Sequence, residues 1–201
     1  MTYHNIEQNT PEWDALRRGK FTASSFADLF MKETTKGYQD AIYKVVYERL
    51  TNDTPETYTN EWMQRGHELE TEARAVYELE TFNKVRNGGF FEFELSDWIG
   101  ASPDGLIGED GLIEIKCPKY NTMIGYLLDH ETPINQYRYQ LQGQLYVTNR
   151  KWVDFVAYHP NLKPLVIRVE RDEGIIYQIE TKVVESIKKA QKIIIQLKGK
   201  L

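Results

Sequence analysis

Apolar residues recur every three or four positions in several stretches of the chain, which is the spacing of a helix with one buried face. The clearest stretch is 173–198, where apolar residues stand at positions 175, 176, 179, 183, 187, 190 and 194. Thr10 and Pro11 form a typical helix start, with a capping residue followed by proline. The pattern predicts helices at about 11–18, 23–30, 38–50, 60–83, 122–129, 133–148 and 173–198.

Strands are indicated from about residue 87 onward, where the apolar period shortens to two. The segments FFEFEL, WIGAS, GLI and LIEIK, between residues 90 and 116, predict a meander. Residues 152–159 and 164–170 predict two further strands. No internal repeat, low-complexity tract or linker interrupts the pattern, so we expect a single mixed α/β domain over residues 1–201.

Composition narrows the class of protein. The chain is 41% apolar, and no apolar run approaches the ~20 residues that a membrane span requires. Its first residues, MTYHNIEQNT, have neither the basic nor the apolar region of a secretion signal, so we expect a cytoplasmic protein that makes no membrane contact. The one cysteine, Cys117, excludes a disulfide within the chain and any four-cysteine zinc or iron–sulfur site.

Charge is unevenly distributed along the chain. The net charge of −5 argues by itself against a partner as acidic as DNA. Residues 51–100 carry 4 basic and 11 acidic side chains, whereas residues 151–201 carry 10 basic and 6 acidic ones. Carboxylates concentrated in one segment can form a cation site, although most such residues in proteins belong to solvated helix faces.

One hairpin, SPDGLIGEDGLIEIKCPK at residues 102–119, carries charges that its turn does not need. A three-residue loop over 109–111 would place glycine in the left-handed position that such loops favour. This loop would pair residue 106 with 114 and residue 104 with 116. Because cross-strand partners share a face, Asp104, Glu114 and Lys116 would project together, with the isoleucines of the hairpin on the core side.

The three charges suggest a chemistry. Two carboxylates a few ångströms apart repel each other, which raises a pKa or recruits a cation, and oxygen ligands favour Mg²⁺ or Mn²⁺. A neighbouring lysine can orient or help deprotonate a water molecule and can stabilise charge on a phosphate. An ordinary cross-strand ion pair would give the same short pattern, so the wider sequence has to decide.

The wider sequence resembles a known family. Asp104, followed ten positions later by Glu114, Ile115 and Lys116, looks like the PD-(D/E)xK nuclease signature. The strings SPDGL and LIEIKCP resemble the YqaJ-type phage exonucleases, the phage lambda exonuclease family, and so do ALRRGKFTAS, RGHELETEAR and YQLQGQLYVT. These motifs stand in the family's order across about residues 10–170. The resemblance implies an α/β (α+β) fold with a restriction-endonuclease-like core, a central mixed β-sheet flanked by helices.

The resemblance also implies roles at a metal site, where Mg²⁺ is the expected cofactor, Mn²⁺ a substitute, and two ions the expected number. The implied metal ligands are Glu70, Asp104, Glu114 and the Ile115 carbonyl, and the implied catalytic residues are Asp104, Glu114, Lys116 and Gln140. Gln142 and Gln144 compete with Gln140 on sequence grounds, since Gln140 and Gln144 share a helical face. A further acid of the family would fall on Glu94 or on Asp97.

A second group of residues is implied to contact phosphate. Arg17, Ser24 and Ser102 match the family's phosphate-binding positions. An arginine fork can grip a terminal phosphate with two hydrogen bonds, and a serine in the first turn of a helix lies where an anion is favoured. Ser102 could equally be a turn residue before Pro103.

The implied function is a Mg²⁺-dependent 5′-to-3′ exonuclease on double-stranded DNA ends, which leaves 3′ single-stranded overhangs for phage-type recombination. The resemblance further implies a homotrimeric ring around DNA, a single-strand-annealing recombinase as partner and, for a phage-encoded protein, the bacterial cytoplasm. An endonuclease or junction resolvase of the same superfamily would share the acid–lysine hairpin. A non-catalytic DNA-binding recombination protein is the third alternative.

Overall fold

The helices lie close to the predicted segments. The computed structural model describes residues 1–55 and 61–199, with the side chains of 61–68 left out, so the predicted helix start at residue 60 falls outside the described residues. The α-helices are α1 (Pro11–Arg17), α2 (Lys36–Thr51), α3 (Glu61–Thr81), α4 (Tyr120–Leu128), α5 (Glu131–Thr148) and α6 (Glu173–Lys198). The predicted helix at 23–30 is a 3₁₀ helix, Ala23–Phe30. Among the described helices, none has the length and apolar character needed to cross a bilayer.

The strands of the described residues form two mixed sheets. They are β1 (Thr2–His4), β2 (Phe21–Thr22), β3 (Val85–Asn87), β4 (Phe90–Glu92), β5 (Ile99–Ala101), β6 (Gly105–Ile107), β7 (Gly111–Lys116), β8 (Trp152–Ala157) and β9 (Leu165–Glu170). The central sheet has the order β3-β6-β7-β8-β9, and only its β7–β8 pair is parallel. The second sheet has the order β1-β4-β5-β2, with β2–β5 parallel.

The predicted meander is divided between these two sheets. Strands β4 and β5 pair with each other in the second sheet, whereas β6 and β7 lie in the central sheet. The short strands β1, β2 and β3 were not predicted, because two or three residues do not show a period. The chain therefore leaves one sheet for the other between β5 and β6, immediately before Asp104.

The register of the β6–β7 hairpin differs from the predicted one. Leu106 lies opposite Leu112, and Ile107 lies opposite Gly111, so the loop is 108–110 rather than 109–111. Gly108 takes the left-handed conformation, with φ of +52°. Gly111 lies in the strand, where a Cβ would stand 2.2 Å from the Trp152 ring, so its place is fixed by close packing and not by the turn.

The central sheet is covered on both faces. On one face Leu112 belongs to the large core shared with α2, α5 and α6. On the other face Ile113 and Ile115 pack with Ala73 of α3. The predicted register is wrong by two residues, and strand side chains alternate with a period of two. Each side chain therefore lies on the face that was predicted, and Glu114 points to the face covered by α5.

Candidate active site

The acidic hairpin places its charged residues at one end of the central sheet. Asp104 directly precedes β6, and Glu114 and Lys116 lie near the end of β7. Continuing the ladder one step beyond the Gly105–Ile113 pair brings Asp104 level with Glu114. The hairpin thus carries two carboxylates side by side, as the sequence predicted from a different register.

A cleft of about 290 Å³ opens at this end of the sheet and brings the predicted site side chains together. Its lining includes Arg17, Ser24, Glu70, Ser102, Asp104, Glu114, Lys116 and Gln140. An adjoining cleft of about 440 Å³ is lined by Ile115 together with Glu70 and Asp104. These two acids therefore stand between the clefts, with the Ile115 backbone beside them.

Glu114 is 1% exposed, and its carboxylate receives three hydrogen bonds. Lys116 Nζ donates to Oε1 at 2.5 Å, and Gln140 Nε2 donates to the same oxygen. Gln144 Nε2 donates to Oε2 at 2.6 Å. Gln142, on the opposite side of α5, instead donates to the Glu170 carbonyl. Of the three competing glutamines, Gln140 and Gln144 both face the site.

The carboxyl group of Asp104 is buried beside that of Glu114. Its Oδ2 accepts a hydrogen bond from the backbone N–H of Ile115 at 2.6 Å, and Arg74 donates to its backbone carbonyl. Burial, followed by the charge of Glu114, raises the pKa of Asp104 well above its ordinary value. Glu70 adds to this effect, which places its charge at the same site. Repulsion of this kind is what a bound cation would relieve.

Helix α3, which carries Glu70, is fastened to the central sheet by two tyrosines. Tyr77 donates to Asp154 Oδ2 at 2.6 Å, and Tyr158 donates to Glu72 Oε1 at 2.6 Å. Glu70 therefore approaches Asp104 from the face opposite to α5. The site is assembled from both faces of one sheet.

The atoms that could bind a metal at this place are all oxygens, which suit a hard divalent cation. In the part of the chain that the structure describes, no three Asp, Glu, His or Cys side chains stand close enough to bind an ion by themselves. A cation between Asp104 and Glu114 would take further ligands from backbone oxygens, such as the Ile115 carbonyl, and from water. Mg²⁺ usually keeps several waters in protein sites.

Lys116 is a cation at this site. Burial acts to lower its pKa, but the charges of Glu114 and Asp104 outweigh burial and raise the pKa above its ordinary value. Its Nζ also lies 5.3 Å from the centroid of the Tyr137 ring. Lys116 is therefore a hydrogen-bond donor in this state, suited to orienting a water or a phosphate oxygen.

Arg17 also lines the cleft and stacks on a tryptophan. Its guanidinium carbon is 3.9 Å from the centroid of the Trp13 ring, one helical turn earlier on α1. Burial lowers the pKa of Arg17, and the carboxylates of Asp14 and Glu48 partly offset this effect. The sequence analysis missed Trp13, although its four-residue spacing from Arg17 places both on one face of the helix.

The two serines occupy different settings in the same cleft. The Ser102 hydroxyl donates to the Gly89 carbonyl at 2.6 Å and accepts from Trp13 Nε1 at 2.9 Å. Ser24 is exposed in the first turn of the 3₁₀ helix, with its Oγ 3.1 Å from Thr22 Oγ1. Ser24 is thus placed to meet a ligand, whereas Ser102 is engaged in holding Trp13. Phosphate binding by either serine stays a prediction.

Neither candidate for the additional acid lies in the cleft. Glu94 pairs with the N-terminal amine of Met1 at 3.0 Å. Asp97 pairs with Arg49 at 3.1 Å. Both acids serve surface ion pairs among the described residues, and the cleft lining includes neither of them.

The mixed α/β fold and the acid–lysine cleft at the end of its central hairpin are those of a nuclease. The chain belongs to the YqaJ-like viral recombinase domain family, which matches residues 12–151. This match confirms the predicted family, and the structural similarities below confirm the predicted fold class. No curated protein sequence matches the chain.

Solved structures of exonucleases are similar to this chain over nearly its whole length. An alkaline exonuclease (LHK-Exo) from Laribacter hongkongensis is 39% identical, with a TM-score of 0.87 over 95% of this chain and 97% of that one. Its complex with dAMP has the same identity and coverage and a TM-score of 0.88. A phage-related exonuclease from Haemophilus somnus 129PT, 15% identical, has a TM-score of 0.71 over 92% of this chain and 99% of that one, and shares the fold.

Proposed function

We propose that the protein is a Mg²⁺-dependent exonuclease that degrades double-stranded DNA from its ends in the 5′-to-3′ direction and leaves 3′ single-stranded overhangs. The observation that carries the proposal is one cleft that contains both the carboxylate pair and Arg17 with Ser24. The first group suits phosphodiester hydrolysis, and the second suits a terminal phosphate. An enzyme that cuts within DNA has no use for the second group.

Different residues of the cleft would bind the metal and orient the attacking water. Asp104 and Glu114, with the Ile115 carbonyl and Glu70, would hold Mg²⁺, Mn²⁺ would substitute, and two ions would occupy the site. When bound, the metal would lower the pKa of a water molecule and stabilise charge on the leaving oxygen. Lys116 and Gln140, which meet at Glu114 Oε1, would orient the attacking water. Lys116, whose Nζ already donates to Glu114 Oε1, would donate a further hydrogen bond to that water.

Direction follows from where the terminal phosphate binds. A guanidinium forms charge-assisted hydrogen bonds with phosphate, and Arg17 lines the cleft with its guanidinium over the Trp13 ring. A 5′ phosphate held by Arg17 and Ser24 would set the next phosphodiester at Asp104 and Glu114. Each turnover would then release a 5′ mononucleotide.

The proposal also covers the oligomeric state, the partner protein and the cellular location. We infer a homotrimeric ring that encloses DNA, a single-strand-annealing recombinase as partner and the bacterial cytoplasm as location, all of which rest on the family resemblance. A ring with a basic bore and an acidic exterior would reconcile DNA binding with the net charge of −5. The solution mass, measured by light scattering, tests the trimer.

Digestion of labelled DNA tests the proposed reaction. Linear duplex carrying a label at its 5′ or its 3′ end, and closed circular duplex, are incubated with Mg²⁺, Mn²⁺ or a chelator. We expect early release of the 5′ label as mononucleotide with either metal, an intact circle, and no release with chelator. A cut circle would favour an endonuclease or resolvase, and DNA binding without cleavage would favour a non-catalytic recombination protein.

A further inference from the structure

Gln144 lines the active-site cleft, and within the part of the chain that the structure describes only the NH₂ group of its side-chain amide forms a hydrogen bond. The residue is 1% exposed and lines the cleft beside Asp104 and Glu114. Its Nε2 donates to Glu114 Oε2, but its carbonyl Oε1 is buried and has no hydrogen-bond partner among the described residues. A buried carbonyl without a donor is costly, and a retained orphan of this kind calls for an explanation.

The hydrogen bonds to Glu114 leave little of its carboxylate free. A carboxylate offers about four lone-pair positions, two on each oxygen. Lys116 and Gln140 occupy the two positions on Oε1, and Gln144 occupies one on Oε2. The remaining position lies on Oε2, the oxygen to which Gln144 donates.

We propose that Gln144 is a positioning residue that fixes the Glu114 carboxylate so that one lone pair of Oε2 is presented to the metal, while the Gln144 carbonyl accepts a hydrogen bond from a water in the cleft. The terminal torsion of a glutamate is broad, so donors on only one oxygen would let the carboxylate rock. Donors on both oxygens hold its plane. The inference rests on the proposed function, because it takes Glu114 as a metal ligand.

The same helix supplies a matched control. Gln142 is 2% exposed and also uses its amide in buried hydrogen bonds, donating to the Glu170 carbonyl and accepting from the Asp172 N–H. It does not line the cleft. Replacement of either glutamine by methionine removes a buried amide of the same length from α5, and only one of the two replacements touches Glu114.

The test measures Mn²⁺ binding to the full-length protein without DNA, by electron paramagnetic resonance, in wild type, Gln144→Met and Gln142→Met. Loss of a group that orients a metal ligand typically weakens metal binding or activity by about 10- to 100-fold. We expect the Mn²⁺ dissociation constant to rise by about tenfold or more in Gln144→Met and to change by less than about twofold in Gln142→Met. In digestion assays, the half-saturating Mn²⁺ concentration should rise in Gln144→Met, and saturating Mn²⁺ should restore most of the maximal rate.

Three outcomes would overturn the inference. They are an unchanged Mn²⁺ affinity in Gln144→Met, an equal loss in Gln142→Met, and a fall in maximal rate that Mn²⁺ does not restore. If the methionine variant does not fold, Gln144→Asn replaces it, because its shorter polar side chain also withdraws the amide from Glu114. A wild type that binds Mn²⁺ but releases no nucleotide would contradict the proposed function alone.

Discussion

The Trp13 ring supports the Arg17 guanidinium at 3.9 Å on its face while its Nε1 donates to the Ser102 hydroxyl at 2.9 Å. One buried tryptophan thus joins two of the three residues that the sequence assigns to phosphate. The stacking limits the rotamers open to Arg17, so less entropy is lost when the guanidinium binds an anion. The hydrogen bond ties α1 to the segment that leads into Asp104.

Replacement of Trp13 by phenylalanine separates these two contacts. Trp13→Phe keeps an aromatic face under Arg17 and removes the donor to Ser102. We expect the protein to lose about 1–3 kcal/mol of stability and to keep most of its preference for 5′-phosphorylated DNA ends. Thermal unfolding and initial rates on phosphorylated and hydroxyl ends measure the two effects. A complete loss of the preference would show that the hydrogen bond from Trp13 to Ser102, and not the aromatic face under Arg17, maintains the phosphate site.

Alanine at either carboxylate of the hairpin should abolish cleavage. In Asp104→Ala and in Glu114→Ala we expect less than about a tenth of the wild-type rate, which corresponds to a loss of at least ~1.4 kcal/mol in transition-state stabilisation. Glu114→Ala should also lower the unfolding temperature more than Asp104→Ala, since it leaves three donors without their acceptor. Glu109→Ala, at the exposed tip of the same hairpin, is the control and should retain full activity.

Arginine should not replace Lys116. The ammonium shares Glu114 Oε1 with the amide of Gln140, and a longer, forked guanidinium would displace that amide. We expect Lys116→Arg and Lys116→Ala to lower the rate similarly, by about 10²-fold or more, with little effect on Mn²⁺ affinity. A fully active arginine variant would mean that Lys116 supplies only diffuse positive charge.

Because the pKa of Asp104 is raised in the folded protein, we expect a lower pH to stabilise the metal-free protein. Its carboxyl binds a proton more tightly in the folded state than in the unfolded state. Above the ordinary pKa of 3.8, stability therefore falls as the pH rises, until the pH passes the raised folded value. In chelator, we expect Asp104→Asn to unfold at a higher temperature than wild type near neutral pH, with an advantage that shrinks as the pH falls. A wild type that is the more stable of the two near neutral pH would contradict this effect.

The sequence predicted the helices well because their amphipathic patterns extend over several turns. The prediction of the hairpin register was wrong, because the local sequence is compatible with two different registers. Gly108 and Gly111 flank the hairpin tip, and either could have served the left-handed loop position. The choice depends on Trp152, which lies against Gly111 from the neighbouring strand β8, 41 positions later in the chain. No local pattern contains that contact.

The site was more predictable than the fold around it, because the motif residues converge on one cleft whatever the register. An error of two residues keeps every side chain on its face, so Asp104 and Glu114 still meet. Gln144 could not be separated from Gln140 in the sequence, since both lie on the same side of α5. Trp13 was missed because a buried aromatic near a helix start is typical of an ordinary core residue.

The most direct test of the central claim compares initial rates on linear duplex with 5′-phosphate and with 5′-hydroxyl ends, in wild type and Arg17→Ala at fixed salt. Arg18→Ala is the matched control, because Arg18 follows Arg17 in sequence, donates to Thr54 and does not line the cleft. Wild type and Arg18→Ala should prefer the phosphorylated end by about ten- to a hundredfold, and Arg17→Ala should lose most of that preference. A ratio that does not change in Arg17→Ala would contradict the phosphate pocket and, with it, the 5′-to-3′ direction.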